Sequence, residues 1–276
     1  MWGRRRRAVL VVATALATVL LGSGTGAGAA TAASRAQLPP GIPPAGANDP
    51  TCRPAAAHPD PVVLVHGTFE DMAASWSLVS PALRQLGYCV FALDYGDLGT
   101  GPVEQSAVTL GTFVDQVRAA TGAAHVLVVG HSQGGMMPRY WMRFLGGAAV
   151  VRGLVGLAPS NHGTLVPLAP VAAQEGCPAC AEQETGSAFL TRLNAGGDTL
   201  PGINYTVIET NLDEVVTPYT SAFLLGPRVT DVTLQGRCPL DASDHVGVQY
   251  DPVALQWLVD ALDHAGRADP GFRPVC

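Results

Sequence analysis

The sequence predicts an α/β fold: a mostly parallel central sheet with helices on both faces and a short cap segment at about residues 160–200. Three observations predict it. Short apolar runs of strand length alternate with longer stretches that carry apolar residues at helical spacing, the pattern of parallel strands joined by right-handed crossovers. One junction, Gly130-His131-Ser132-Gln133-Gly134, links a strand-type run to a helix-compatible run through a turn of small residues. Hydrophobic residues make up 47% of the 276 and charged ones 14%, a balance that suits a sheet buried on both faces.

Residues 1–33 read as an export leader. Arg4–Arg7 is positively charged, Ala8–Leu21 is apolar, and Gly22–Ala33 is rich in small residues. The apolar run is short for a membrane span; an uncleaved anchor is the alternative. Residues 34–60, rich in Pro, Ala and Gly, are expected to form an extended surface arm. The folded domain is then 61–276. Its first strand is Pro61–Val65, ended by His66-Gly67-Thr68-Phe69. A helix over Trp76–Leu86, a strand over Tyr88–Leu93 and a helix over Glu104–Ala120 follow, the last with Ala107, Leu110, Val114 and Val117 on one face. Strand His125–Val129 leads into the glycine-flanked turn and a helix over Met136–Leu145. Strands Val151–Leu157, Asn204–Thr210 and Thr230–Gln235 come next, and a helix over Pro252–His264 closes the order.

Charge and cysteines narrow the function. Every basic residue is arginine, and four of the 16 lie in the leader, so 12 remain against 22 acids, a balance of −10. Nucleic-acid binding needs basic surface and is not expected. All six cysteines, Cys52, Cys89, Cys177, Cys180, Cys238 and Cys276, follow the leader, and an even number in an exported chain points to disulfides. Cys177-Pro178-Ala179-Cys180 also has the form of a redox or zinc motif. A zinc site would want a second ligand pair at similar spacing, and the sequence has none, so a short local disulfide is the better reading.

Gly130-x-Ser132-x-Gly134 between a strand and a helix has the form of a nucleophile elbow, with the following helix aiming its N-terminus at the serine. A serine hydroxyl is a weak nucleophile and needs a general base, itself oriented by a carboxylate. Two histidines follow residue 200. His245 lies in a polar loop beyond the last strand and is the candidate base; His264 lies inside the final helix. Asp213, just past strand Asn204–Thr210, is the candidate acid, with Glu214 its immediate competitor and Asp198 and Asp231 weaker ones. The backbone N–H groups of Gln133 and Thr68 are the candidate oxyanion donors, ahead of Phe69, which is placed in the acyl pocket instead. The Thr68 hydroxyl is a further candidate donor. His66, His131 and His162 read as packing or loop residues. Leu165, Val166, Leu168, Val171 and Leu224-Leu225 are apolar enough to line an acyl tunnel or to be plain packing.

Together, Val65-His66-Gly67-Thr68, Gly130-His131-Ser132-Gln133-Gly134, Asp213-Glu214-Val215-Val216-Thr217-Pro218 and Asp244-His245 resemble secreted bacterial lipases of the alpha/beta hydrolase superfamily, most of all the actinobacterial class 2 lipases. The later half, from Thr185-Gly186-Ser187-Ala188-Phe189 onward, is similar to lipases of the Candida antarctica lipase B type, although the elbow here keeps the bacterial Gly-His-Ser-Gln-Gly form. The resemblance implies a reduced alpha/beta hydrolase fold, since nothing before Val62 matches the first hairpin of the full-size one. It implies a secreted hydrolase of acyl esters, acting on lipid or similar substrate at a lipid–water interface as a monomer, without metal or organic cofactor and without stable membrane insertion. It pairs Cys52 with Cys89 and Cys238 with Cys276, leaving Cys177 for Cys180. A polyester hydrolase or acyltransferase with the same three residues, a peptidase, and a non-catalytic binding protein on the same scaffold are the alternatives.

Overall fold

The computed structural model describes residues 41–276 except 169 and 171–173, so the leader and Val171 lie outside the described residues. Six strands form one sheet among these residues: β1 Val62–Val65, β2 Val90–Leu93, β3 Val126–His131, β4 Val151–Leu157, β5 Asn204–Glu209 and β6 Val229–Thr233. Their order is β2-β1-β3-β4-β5-β6, and every pairing is parallel. The sheet reverses its winding between β1 and β3, and in open parallel sheets the crevice at the carboxyl ends of such strands is where ligands bind.

Alternation along each strand supplies two cores. Val63, Val65, Phe91, Leu93 and Val128 face one layer, packed with helices α3 Val103–Thr121 and α4 Gln133–Phe144. Val62, Leu64, Val90, Ala92 and Val129 face the other, packed with α1 Met72–Ser75, α2 Val79–Gln85 and α7 Pro252–Asp263. Two short helices, α5 Pro178–Glu182 and α6 Ala188–Asn194, extend the first layer. Local chemistry sets the ends. Asp251 caps α7 by accepting from the N–H groups of Val253 and Ala254, each at 2.7 Å, with Pro252 as the first helical residue. Gly122, at φ 74°, ends α3 in a conformation that a side chain would strain.

Several boundaries differ from expectation; β2, for one, starts at Val90 rather than Tyr88. The helix expected from Trp76 begins at Val79, because Asp71 caps an earlier short turn, α1, and Trp76 ends it. Strand β6 stops at Thr233, where Leu234–Gly236 winds into a 3₁₀ turn. Strand β3 runs on to His131, so α4 starts at Gln133 rather than Met136. Residues 41–60 run along the outer edge of β2: Ala47 bridges Val90 in parallel, and the Asn48 side chain bonds both the N–H and the carbonyl of Ala92 at 2.8 Å. Disulfides join Cys52 to Cys89, Cys177 to Cys180 and Cys238 to Cys276. No helix among the described residues is long and apolar enough to cross a membrane.

Candidate active site

The turn between β3 and α4 is concentrated in one residue. Ser132 holds φ 51° and ψ −121°, a strained conformation for a residue with a side chain. Its N–H bonds Leu157 O at 2.9 Å, and its carbonyl accepts from Gly135 N at 3.0 Å, which anchors the turn to β4 and to the first turn of α4. The flanking glycines follow from contact distances. A Cβ on Gly130 would lie 1.8 Å from Gly134 O, and a Cβ on Gly134 would lie 2.2 Å from Val65 O. No side chain fits at either place.

Ser132, His245 and Thr68 line one cleft of about 210 Å³ at the carboxyl ends of β1 and β3, with Phe69, Leu168 and Val246 among its apolar walls. His245 is 4% exposed, and its Nδ1 lies 2.7 Å from Asp213 Oδ2. The carboxylate can only accept, so the proton sits on Nδ1 and the lone pair on Nε2. Burial would raise the Asp213 carboxyl. The hydrogen bond from the His245 ring, with the N–H groups of Val216 and Val215 on Oδ1, outweighs it and holds Asp213 below the ordinary carboxylate range. Among the described residues no hydrogen bond joins Ser132 to His245, a contact that in this chemistry often tightens only with substrate bound.

The rival residues fall elsewhere. Glu214 meets the backbone N–H of His245 at 3.4 Å, not the ring. Asp198 pairs with His162 at 3.1 Å, and Asp231 accepts from Leu224 N. His264 is exposed at the end of α7, bonded to Asp260 O. His66 is buried and stacked on Tyr95, with Nδ1 donating to Gly67 O at 2.7 Å; burial pushes its ring below the ordinary histidine range and keeps it neutral. Leu224 is buried while Leu225 is exposed on the surface, and Leu165 is likewise exposed.

The donor side of the cleft is similarly ordered. The Phe69 N–H is bonded to Leu98 O at 2.6 Å, which removes it as a donor to substrate. Among the described residues no acceptor meets the backbone N–H of Thr68 or Gln133. Thr68 Oγ1 accepts from Gln133 Nε2 at 2.9 Å and from Gln183 Nε2 at 3.0 Å. With both lone pairs engaged, its own proton is free to point into the cleft.

Sequence reasoning did not find four groups at this site. Gln183 on the cap helix α5 holds Thr68 from outside. Glu70 and His131 form a pair at 3.0 Å beneath the cleft. Glu209, fully buried at the end of β5, has its carboxyl pushed well up by burial and by the neighbouring Asp213 charge. Its position in an apolar strand run was the available signal: a carboxyl there is costly unless protonated or paired.

The parallel sheet, its winding reversal and the strained turn at Ser132 define an alpha/beta hydrolase. The family model for lipases of class 2 matches residues 59–258, and the chain belongs to that family. A triacylglycerol lipase of Pseudarthrobacter phenanthrenivorans is 36% identical over 87 residues, which are 29% of this chain and 27% of that one. The chain thus matches about a quarter of the length of that curated relative. Among solved structures, Aspergillus fumigatus lipase B superposes with a TM-score of 0.68 at 25% identity, over 76% of this chain and 54% of that one. Bacillus licheniformis lipase BlEst2 in its mature form gives 0.58 at 18% identity, over 78% of this chain and 96% of that one.

Proposed function

We propose that the chain is an exported carboxylic ester hydrolase of the lipase or esterase kind, acting through Ser132, His245 and Asp213 by way of an acyl-enzyme. The observation that carries this reading is the 2.7 Å Asp213–His245 contact in the cleft that Ser132 enters. His245 Nε2 takes the Ser132 proton as Oγ attacks the ester carbonyl. Asp213 holds the ring and stabilises the imidazolium that forms. The N–H groups of Thr68 and Gln133, with the Thr68 hydroxyl, bind the oxyanion where its charge develops. His245 returns the proton to the leaving alcohol, then activates the water that releases the acid. Phe69, Leu168, Val215 and Val246 give the cleft an apolar lining that fits an acyl chain. Three disulfides and the leader-like start support export.

Ser132→Ala tests the reading. Hydrolysis of a soluble butyrate ester should fall by about 10⁴-fold or more with the thermal transition intact, and phosphonate labelling should vanish with it. Wild-type turnover in that variant would overturn the assignment of nucleophile.

A further inference from the structure

His131 and Glu70 lie beneath the cleft with a contact to each of three loops around it. His131 is 1% exposed. Its Nδ1 lies 3.0 Å from Glu70 Oε2, and its Nε2 lies 2.9 Å from the backbone oxygen of His245. A peptide carbonyl has no proton to give. Glu70 is an acceptor as well, since its two carboxylate oxygens take the Gly67 N–H, the Ser75 hydroxyl and the Gln249 side-chain amide. Both ring nitrogens thus face acceptors, an arrangement that a ring carrying both protons satisfies. Glu70 also gathers the Gly67 N–H at 2.7 Å, Ser75 Oγ at 2.9 Å and Gln249 Nε2 at 2.8 Å. The pair thus touches the turn after β1 that carries Thr68, the elbow that carries Ser132, and the loop that carries His245.

We propose that Glu70 and His131 are positioning residues: a buried ion pair whose second N–H fixes the backbone of His245 and so sets the reach of its Nε2 toward Ser132. The proposal rests on the ester-hydrolase reading above. A neutral ring at position 131 has one donor and leaves either Glu70 or the His245 carbonyl facing a lone pair. Charge on Glu70 is what keeps the second proton in place. Buried ion pairs are weak as net stabilisers; the value of this one lies in geometry, since small displacements at a reacting centre are costly in rate.

Glu70→Gln keeps the shape and removes the charge. In the exported, fully oxidised chain, kcat for p-nitrophenyl butyrate, counted per phosphonate-titrated serine, should fall by about 10- to 100-fold with KM moved by less than about twofold, and Glu70→Asp should recover most of the loss. Nitrogen-15 NMR of the histidine-labelled wild type at pH 7 should show both His131 ring nitrogens protonated. A kcat within about twofold of wild type in Glu70→Gln, or a single protonated nitrogen on His131, would overturn the proposal. Should Glu70→Gln not fold, His131→Gln removes the charge from the other side: the same loss of kcat supports the proposal and retained kcat refutes it. Failure of the ester-hydrolase reading would show differently, as full turnover in Ser132→Ala, while the NMR result depends on no activity at all.

Discussion

Asp213 and Glu214 are neighbours in sequence with unlike surroundings. The first meets the His245 ring and two backbone N–H groups, the second only a backbone N–H. Asp213→Asn should lower kcat by about 10⁴-fold, because an amide favours the wrong tautomer of the ring. Glu214→Gln should stay within a few-fold, and kinetics on the two purified variants decide between them. Glu70 makes a pH prediction. Its carboxyl is held at about 2 against an ordinary 4.5, so its contribution to stability is complete above about pH 4.5 and is lost as pH falls toward 2. The size is on the order of 3 kcal/mol for a carboxylate this buried. Urea titrations of wild type and Glu70→Gln should differ by that amount at pH 7 and converge toward pH 2. The residues legible in sequence were those with local company. Ser132 stands between two glycines, and His245 stands in a polar loop after the last strand. His131 and Glu70 are 61 positions apart, and nothing near either one announces the other.

Among the elements, the strands were the most legible. Val151–Leu157 is observed at its expected bounds, because an apolar run closed by Ala158-Pro159 leaves little choice. The error at Trp76 has a different cause: apolar spacing continues through the break, and only the Asp71 cap marks where the chain starts a separate turn. Helices α5 and α6 are too short for periodicity to declare them, being five and seven residues long. The elbow is the least tolerant element. Gly134→Ala should prevent accumulation of folded protein, because the new methyl meets main-chain oxygens of Val65 and His66 at 2.2 and 2.3 Å. Gly122→Ala, where nothing lies within 4 Å, should cost only the strain of φ 74°, about 1 kcal/mol. Thermal unfolding of the two variants checks the contrast.

Across the whole molecule, the sheet places the loops after β1, β3, β5 and β6 at one rim, and two disulfides tie remote segments of the chain together while a third closes a local turn. The cystines closing 37 and 38 positions, Cys52–Cys89 and Cys238–Cys276, should each contribute about 4 kcal/mol by restricting the unfolded chain, against about 2 kcal/mol for Cys177–Cys180, which closes three. Paired Cys→Ser variants in a denaturation series test that ranking. Fold class was legible at this scale because alternating strands and helices admit few arrangements. The link from Gln183 to Thr68 in the turn after β1 was not, since it depends on how α5 settles against the cleft. Asn48 has a last consequence. A terminal strand of a sheet normally offers bare peptide groups on which a stray chain can grow, the first step toward fibres. On β2 those groups are Val90 and Ala92, and the arm occupies them: Ala47 bridges Val90, the Asn48 main chain takes the Val90 oxygen, and the Asn48 carboxamide imitates a neighbouring strand for Ala92. Two consecutive residues thereby close the sheet to newcomers at those positions.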